Sequence, residues 1–231
     1  MQIKGMNKTT LLDYPRHLAA TIFLGGCNMR CPFCHNASLV TGAAAAPTIS
    51  EQEVLSYLSK RKGILEGVCI TGGEPTLYPD LTEFILKIKE LGLKVKLDTN
   101  GTNPKLLKTL VTAKLVDYVA MDIKNSREKY ALTAGLSQFD LTPIMESADF
   151  LMTSAVDYEF RTTIVKEYHT ADDLLSIGHW LTGAKAYFLQ SFQDSGDILS
   201  SGLHSPTRET LSEYLQLLTP LIPSVAIRGV D

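Results

Sequence analysis

The sequence predicts an α/β fold in which six parallel strands, each backed by a helix, curl into part of a barrel. Two observations predict it. Short apolar, β-branched runs recur six times along the 231 residues. Stretches of helical periodicity fall between them, and that alternation is the pattern of parallel βα units.

Leu18–Leu24 reads as the first, buried strand, followed by a cysteine-bearing loop and a linker of small residues from Thr41 to Pro47. Ser50 with Glu53 three residues on is a capping-box signature for a helix reaching about Lys62. Gly67–Thr71 is the second strand, and Leu81–Leu91 an amphipathic helix stopped by Gly92. Lys94–Thr99 is the third strand, and Asn103-Pro104 opens a helix ending near Lys114. Tyr118–Ile123 is the fourth, and the stretch from Ser126 to Ser154 holds two helical pieces. Tyr158–Val165 is the fifth, with a helix from Ala171 to Leu181; Ala186–Phe192 is the sixth, with a helix from Pro206 to Leu218. Val225–Arg228 makes a last short strand. Right-handed crossovers turn such units into a partial (βα)6, TIM-like barrel whose function lies at the strands' C-terminal ends. Apart from Ala43–Ala46 no low-complexity tract interrupts the chain, so residues 1–231 read as a single domain with its core at about 18–220, a short N-terminal extension and a C-terminal tail at Pro223–Asp231.

Composition narrows the class. With 45% hydrophobic residues the chain has ample material for a core, which excludes disorder and a disulfide-stapled mini-protein. Twenty-two basic against 25 acidic side chains leave a formal charge of −3, no footprint for nucleic acid or an anionic membrane. No apolar run approaches the roughly 18 to 20 residues that span a bilayer. Lys4, Lys8 and Arg16 before Leu18–Leu24, then Gly25-Gly26-Cys27, mimic an export signal with a lipidated cysteine. The apolar stretch is too short and contains Thr21, and Asp13 and Pro15 break the basic region, so a buried strand and a cytoplasmic protein are expected.

Three of the four cysteines, Cys27, Cys31 and Cys34, fall within eight residues, directly after the first strand. Thiols this close suit metal ligation or redox chemistry in a reducing compartment better than disulfides. Cys31-Pro32-Phe33-Cys34 alone would be a dithiol, but leaves Cys27 unexplained. Cys31 to His35 matches a c-type haem attachment site, which goes with export. Zinc held by the three cysteines and His35 would require neighbouring side chains at 34 and 35 to converge on one ion. A [4Fe–4S] cluster normally takes four thiolates, and three would leave one iron open for chemistry. Spacing favours the open cluster, with zinc and dithiol as rivals. Cys69, between Val68 and Ile70, reads as core packing.

The C-x3-C-x2-C loop with Phe33 before its last cysteine resembles the radical S-adenosylmethionine superfamily. Thr71-Gly72-Gly73-Glu74-Pro75 at the end of the second strand resembles that superfamily's GGE motif. Asp98-Thr99-Asn100-Gly101 and Met121-Asp122-Ile123-Lys124, ending the third and fourth strands, resemble the glycyl-radical-enzyme activases, and His35-Asn36 fits the same group. The run Thr10-Leu11-Leu12-Asp13-Tyr14-Pro15 with Ala20 through Cys27 is most similar to the activating proteins of anaerobic ribonucleoside-triphosphate reductase.

The resemblance implies an oxidoreductase with one [4Fe–4S] cluster on Cys27, Cys31 and Cys34, and S-adenosylmethionine chelating the open iron. An electron from the cluster then cleaves the sulfonium C–S bond to a 5′-deoxyadenosyl radical, which takes a glycine Cα hydrogen from a partner glycyl-radical enzyme. It also implies an electron donor such as flavodoxin or ferredoxin. Gly72 and Gly73 would let backbone approach the ligand, and Glu74 would accept from its ammonium. Asp98, Thr99 and Asn100 would complete the ammonium and carboxylate contacts, with Lys124, beside Asp122, supplying a cation. Phe33 and His35 would pack near the adenine. Arg161, inside an apolar strand, needs an anionic partner, either a ligand or a structural ion pair.

Overall fold

The computed structural model describes residues 1–42 and 47–229. Eight strands form one sheet in chain order: β1 (Ile3–Thr10), β2 (Ala19–Leu24), β3 (Gly67–Gly72), β4 (Lys94–Thr99), β5 (Tyr118–Asp122), β6 (Asp157–Ile164), β7 (Tyr187–Ser191) and β8 (Val225–Arg228). β2 to β8 run parallel, and β1 lies antiparallel against β2. Between the parallel strands lie α1 (Ala37–Thr41), α2 (Glu51–Lys60), α3 (Leu81–Glu90), α4 (Pro104–Thr112), α5 (Tyr130–Ala134), α6 (Thr142–Thr153), α7 (Ala171–Trp180) and α8 (Arg208–Leu218). The expected partial barrel of parallel strands is therefore present, with β8 as its last parallel strand. Among the described residues no helix is long and apolar enough to cross a membrane.

The two faces of the sheet differ in chemistry. Ile22, Ile70, Val95, Leu97, Val119, Met121, Phe160 and Leu189 are buried together with Leu58, Phe84, Ile88, Leu110, Ile177 and Leu218 of the helices. The alternate strand positions carry Thr21, Cys69, Lys96, Asp98, Asp122, Glu159 and Arg161, and the period of two puts these on the inner face. Strands covered on both faces usually read as unbroken apolar runs. This polar interior is the departure that makes room for a site.

Local signals set most boundaries. Ser50 Oγ accepts from the Glu53 amide at 3.1 Å, and Asn103 from the Leu106 amide, each starting its helix at the expected place. Both halves of a capping box close at Thr170 and Asp173. Two elements lack local signals. β1 is polar and half exposed, and tertiary bonds hold it: the Ile49 amide donates to Ile3 O, and the Tyr57 hydroxyl to Lys8 O. The five-residue α1, which was not expected and which lies just before the linker and meets it only at Thr41, has Asp197 accepting from the Ser38 amide and hydroxyl. Ala43–Ala46, within that expected linker, lie outside the described residues.

One interior contact ties β5, β6 and β8. The Arg228 guanidinium donates twice to the buried Glu159 carboxylate, each at 2.9 Å, and the Tyr118 hydroxyl adds a third bond. Arg228→Met should destabilise the fold by about 2 kcal/mol, less than for a wholly buried pair because Arg228 is half exposed. Adding Glu159→Gln should recover part of that loss. Denaturant midpoints of the single and double variants measure both.

Candidate active site

β2 ends at Leu24, and Gly25-Gly26 leads the chain into the cysteine loop over the barrel's C-terminal mouth. The loop is fixed from several sides. The Cys34 amide closes a turn onto Cys31 O at 3.0 Å, and the Arg30 guanidinium folds back onto the carbonyls of Cys27 and Met29. The Arg30 amide donates to Ala134 O, and the Ser200 amide to Pro32 O. Met29 and Phe33 are buried, with Phe33 packed against Tyr168 and His169. Pinning these two apolar side chains holds Cys31 between them, with Cys27 and Cys34 to either side, along the wall of a cavity of about 380 Å³. Every residue singled out from the sequence, from Cys27 to Arg161, lines this cavity.

The glycine pair lines the cavity and also meets backbone of its own chain. The Gly73 and Glu74 amides donate to Leu24 O and Gly26 O, both at 2.8 Å. A Cβ at Gly73 would lie 1.8 Å from Gly26 O, and one at Gly72, where φ is +114°, 2.4 Å from the Leu24 backbone. The close approach is to the chain's own cysteine-loop stem, so any side chain here would push the loop away.

Glu74 is buried beneath that turn. Its Oε1 accepts from the Thr76 amide at 3.0 Å, the Thr76 hydroxyl and the Thr99 hydroxyl; its Oε2 accepts from the Asn100 amide at 2.6 Å. Burial raises its pKa, and these neutral donors only partly offset that. Glu74 thereby joins the end of β3 to the end of β4. The Asn100 side chain continues outward to Asn28 and Thr102 at the rim.

Across the interior runs a ladder of ion pairs. Lys96 contacts Asp98; Arg161 reaches Asp98 at 3.2 Å and Asp122 at 2.9 Å; Lys124 reaches Asp122 at 3.0 Å. Burial pushes the Asp122 carboxyl up, but the Arg161 and Lys124 charges outweigh it and hold it at about 2. Asp98 is lowered the same way, burial opposing and Arg161 then Lys96 prevailing. Burial works against the Lys124 ammonium, but Asp122 and Cys31 raise its pKa. Arg161 thus has its anions within the protein, and it also lines the cavity. Three cations against two carboxylates leave one positive charge over, with Lys124 coupled to the cysteine loop.

Phe33 is buried under the loop, whereas His35 is exposed and stacks on Phe192 at 5.5 Å. Cys69 is fully buried, as expected, but its sulfur lies 3.7 Å from both Asp98 Oδ1 and Lys96 Nζ on the cavity wall and not in the apolar core. Lys96 was missed by the sequence reading, although the strand period places it on Asp98's face and in register with Cys69. No comparable signal marks His169, whose contacts come from four separate segments.

All four cysteines are free thiols. Burial pushes Cys31 up to about 11, against the pull of Lys124, and raises Cys27 as well. Ligation by metal would drive these protons off. Among the described residues no three His, Cys, Asp or Glu side chains lie close enough to hold one metal ion.

Comparison with known proteins gives four findings. The family model described as the radical SAM superfamily matches residues 21–146. A Methanocaldococcus jannaschii protein, provisionally named a glycyl-radical enzyme activating enzyme, is 31% identical over 236 residues, covering 99% of this chain and 96% of its own. The pyruvate formate-lyase-activating enzyme of Clostridium pasteurianum is 30% identical over 129 residues, 54% of this chain and 52% of that protein. Among solved structures, Streptococcus suis SuiB bound to the precursor peptide SuiA superimposes with a TM-score of 0.72 at 15% identity, covering 91% of this chain and 48% of that one. At that identity the likeness is one of fold. The chain spans about half the length of the Clostridium and Streptococcus proteins.

Two outcomes are expected of this site. Asp122's folded pKa lies below its ordinary 3.8, so its stabilising effect is present above that value and is lost as pH falls from near 3.8 through about 2. Urea unfolding of wild type and Asp122→Asn should show the wild-type advantage vanishing over that window. Gly73→Ala should cost about 3 kcal/mol in the same assay, because backbone and not a flexible side chain must yield.

Proposed function

We propose that this chain, which belongs to the radical S-adenosylmethionine superfamily through its match over residues 21–146, is the activase of a glycyl-radical enzyme. The observation that carries the reading is the relative from Methanocaldococcus jannaschii, named for that activity, which aligns along 99% of the chain. The Clostridium pasteurianum enzyme supports it over about half the length. The family's cofactors, a [4Fe–4S] cluster and S-adenosylmethionine, are the cofactors of this chain.

The donor set fits them. Cys27, Cys31 and Cys34 are unbridged thiols on one wall of the cavity, enough for three irons with one left open to a ligand. The surplus cation of the ion-pair ladder suits a carboxylate such as that of the methionyl group. When bound, the reduced cluster supplies the electron that cleaves S-adenosylmethionine and provides the hydrogen-abstracting radical.

In this reading the chain binds, orients and excludes water. The three cysteines hold the cluster. Lys124, kept charged by Asp122, pairs with the carboxylate, and Arg161 and Asp98 keep that pair from relaxing. Glu74 sets the Thr99–Asn100 turn and has acceptor capacity left on Oε2 for an ammonium. His35 offers an aromatic face at the mouth, and Phe33 lines the cavity from beneath the loop. Met29 and Phe33 close the loop's underside to water. The glycine taken as substrate belongs to a protein, and we propose anaerobic ribonucleoside-triphosphate reductase, from the likeness of Thr10–Pro15 and Ala20–Cys27 to its activating proteins. Flavodoxin or ferredoxin is the proposed electron donor.

The test is anaerobic reconstitution with iron and sulfide, then dithionite and S-adenosylmethionine. 5′-Deoxyadenosine should form, and should be lost in Cys31→Ala. Added anaerobic ribonucleotide reductase should then show a glycyl-radical electron paramagnetic resonance doublet, whereas added pyruvate formate-lyase should not. Cleavage that yields a radical on neither partner would sink the activase reading.

A further inference from the structure

His169 lies outside every motif named so far, yet it joins the elements that carry the site. It is the residue before the N-cap of α7 and is buried, 3% exposed. Its Nε2 lies 2.9 Å from the carbonyl oxygen of Lys124, and the Val165 amide points at its Nδ1 from 3.1 Å. Val165 O, also 3.2 Å from Nδ1, already accepts the His169 backbone amide. A ring nitrogen that receives an N–H cannot carry a proton, so the ring is the Nε2–H tautomer and donates to Lys124 O. Burial favours the neutral form, consistent with one donor and one acceptor.

The same ring meets Phe33 edge-on, with centroids 6.4 Å apart and planes at 67°. Phe33 is flanked by Pro32 and Cys34 in the cysteine loop, and Tyr168 packs on it as well. The Tyr214 hydroxyl of α8 donates to the His169 carbonyl, fixing the backbone from behind. One imidazole therefore touches the end of β6, the residue whose ammonium faces the cysteines, and the aromatic anchor of the cysteine loop.

We propose that His169 is a positioning residue for the cofactor site, setting the Lys124 backbone and the Phe33 ring at a fixed distance from each other. β5 ends at Asp122, so Lys124 lies two residues beyond the ladder of the sheet. The Ile123 amide still bonds to Arg161 O. The Ile123 carbonyl accepts from the Thr162 hydroxyl at 2.7 Å, and the Asn125 side chain donates to Thr133 and to Tyr168 O; between these two anchors His169 holds the Lys124 carbonyl. With that bond gone, the peptide between those anchors is free to rotate, and the Lys124 ammonium shifts relative to the cysteines and to whatever the open iron binds. The inference rests on assigning the cysteine loop and Lys124 to the cofactors, and it is independent of which protein supplies the glycine.

The test uses the reconstituted holoprotein and three variants. His169→Phe keeps the ring against Phe33 and removes both hydrogen bonds. His169→Asn keeps an acceptor near Nδ1 but does not reach Lys124. His169→Gln places an amide donor at the reach of Nε2. Affinity for S-adenosylmethionine, the linewidth of the reduced cluster's paramagnetic resonance with cofactor added, and thermal midpoints are read for each. Outer-shell partners of this kind carry about 10-fold or more in affinity. Phe and Asn should therefore weaken binding about tenfold and broaden the resonance, while Gln should stay within about threefold of wild type. Equal weakening in Gln and Phe, or unchanged binding in Phe and Asn, overturns the positioning role. A wild-type protein that assembles no cluster overturns the site assignment and this inference with it.

Discussion

The ion-pair ladder inside the barrel is the constraint on which the rest of the structure depends. Five charges, from Lys96 through Asp98, Arg161 and Asp122 to Lys124, occupy an interior that would otherwise be packed with Val and Leu. Removing one partner from such an arrangement strands a buried charge and costs about 3–5 kcal/mol. The ladder therefore fixes which strands neighbour one another: β4 supplies two rungs, β5 one and β6 one, and the fifth stands just past β5. It also sets the electrostatics of the mouth, because its spare charge is positive and lies by the thiols.

A fold with a polar interior needs its apolar burial elsewhere, and here the outer face provides it. The residues alternating with the ladder, such as Val95, Leu97, Val119 and Met121, are wholly buried against the helices. Stability and function are thus divided between the two faces of the same strands. Residues that bind do not have to be compatible with a close-packed core, and residues that pack do not have to be polar. The cysteine loop obeys the same division, with Met29 and Phe33 turned inward and the thiols left on the cavity wall.

Much of this was legible because the relevant signals are local. The strand period, Ser50 and Asn103 as helix starts, and Gly92 as a stop each act within a few residues. The site residues were legible for a related reason: in a βα barrel the strand ends converge, so motifs at 72–74, 98–100 and 122–124 were bound to meet. What escaped was set by distant partners. β1 is polar and exists because β2 offers it an edge; α1 exists because Asp197, far along the chain, caps Ser38. The packing of Gly72 and Gly73 against the stem of the cysteine loop was not legible, because a sequence shows which residues lack a Cβ but not what fills the space. Arg161 was left between two roles because its anions lie on two other strands.

The anchoring of the cysteine loop bears on how the site comes into being. Its backbone and side chains are held by Ala134 from α5, by Ser200 from the segment before α8, by His169 and Tyr168 from the turn after β6, and by the stem contacts of Gly73 and Glu74. These partners span more than half of the sequence, and none is a neighbour of the loop in the chain. A three-thiol arrangement held in this way cannot be preformed by eight residues alone. The arrangement of the three thiols is therefore a property of the completed barrel, set by tertiary packing and not by the loop's own sequence.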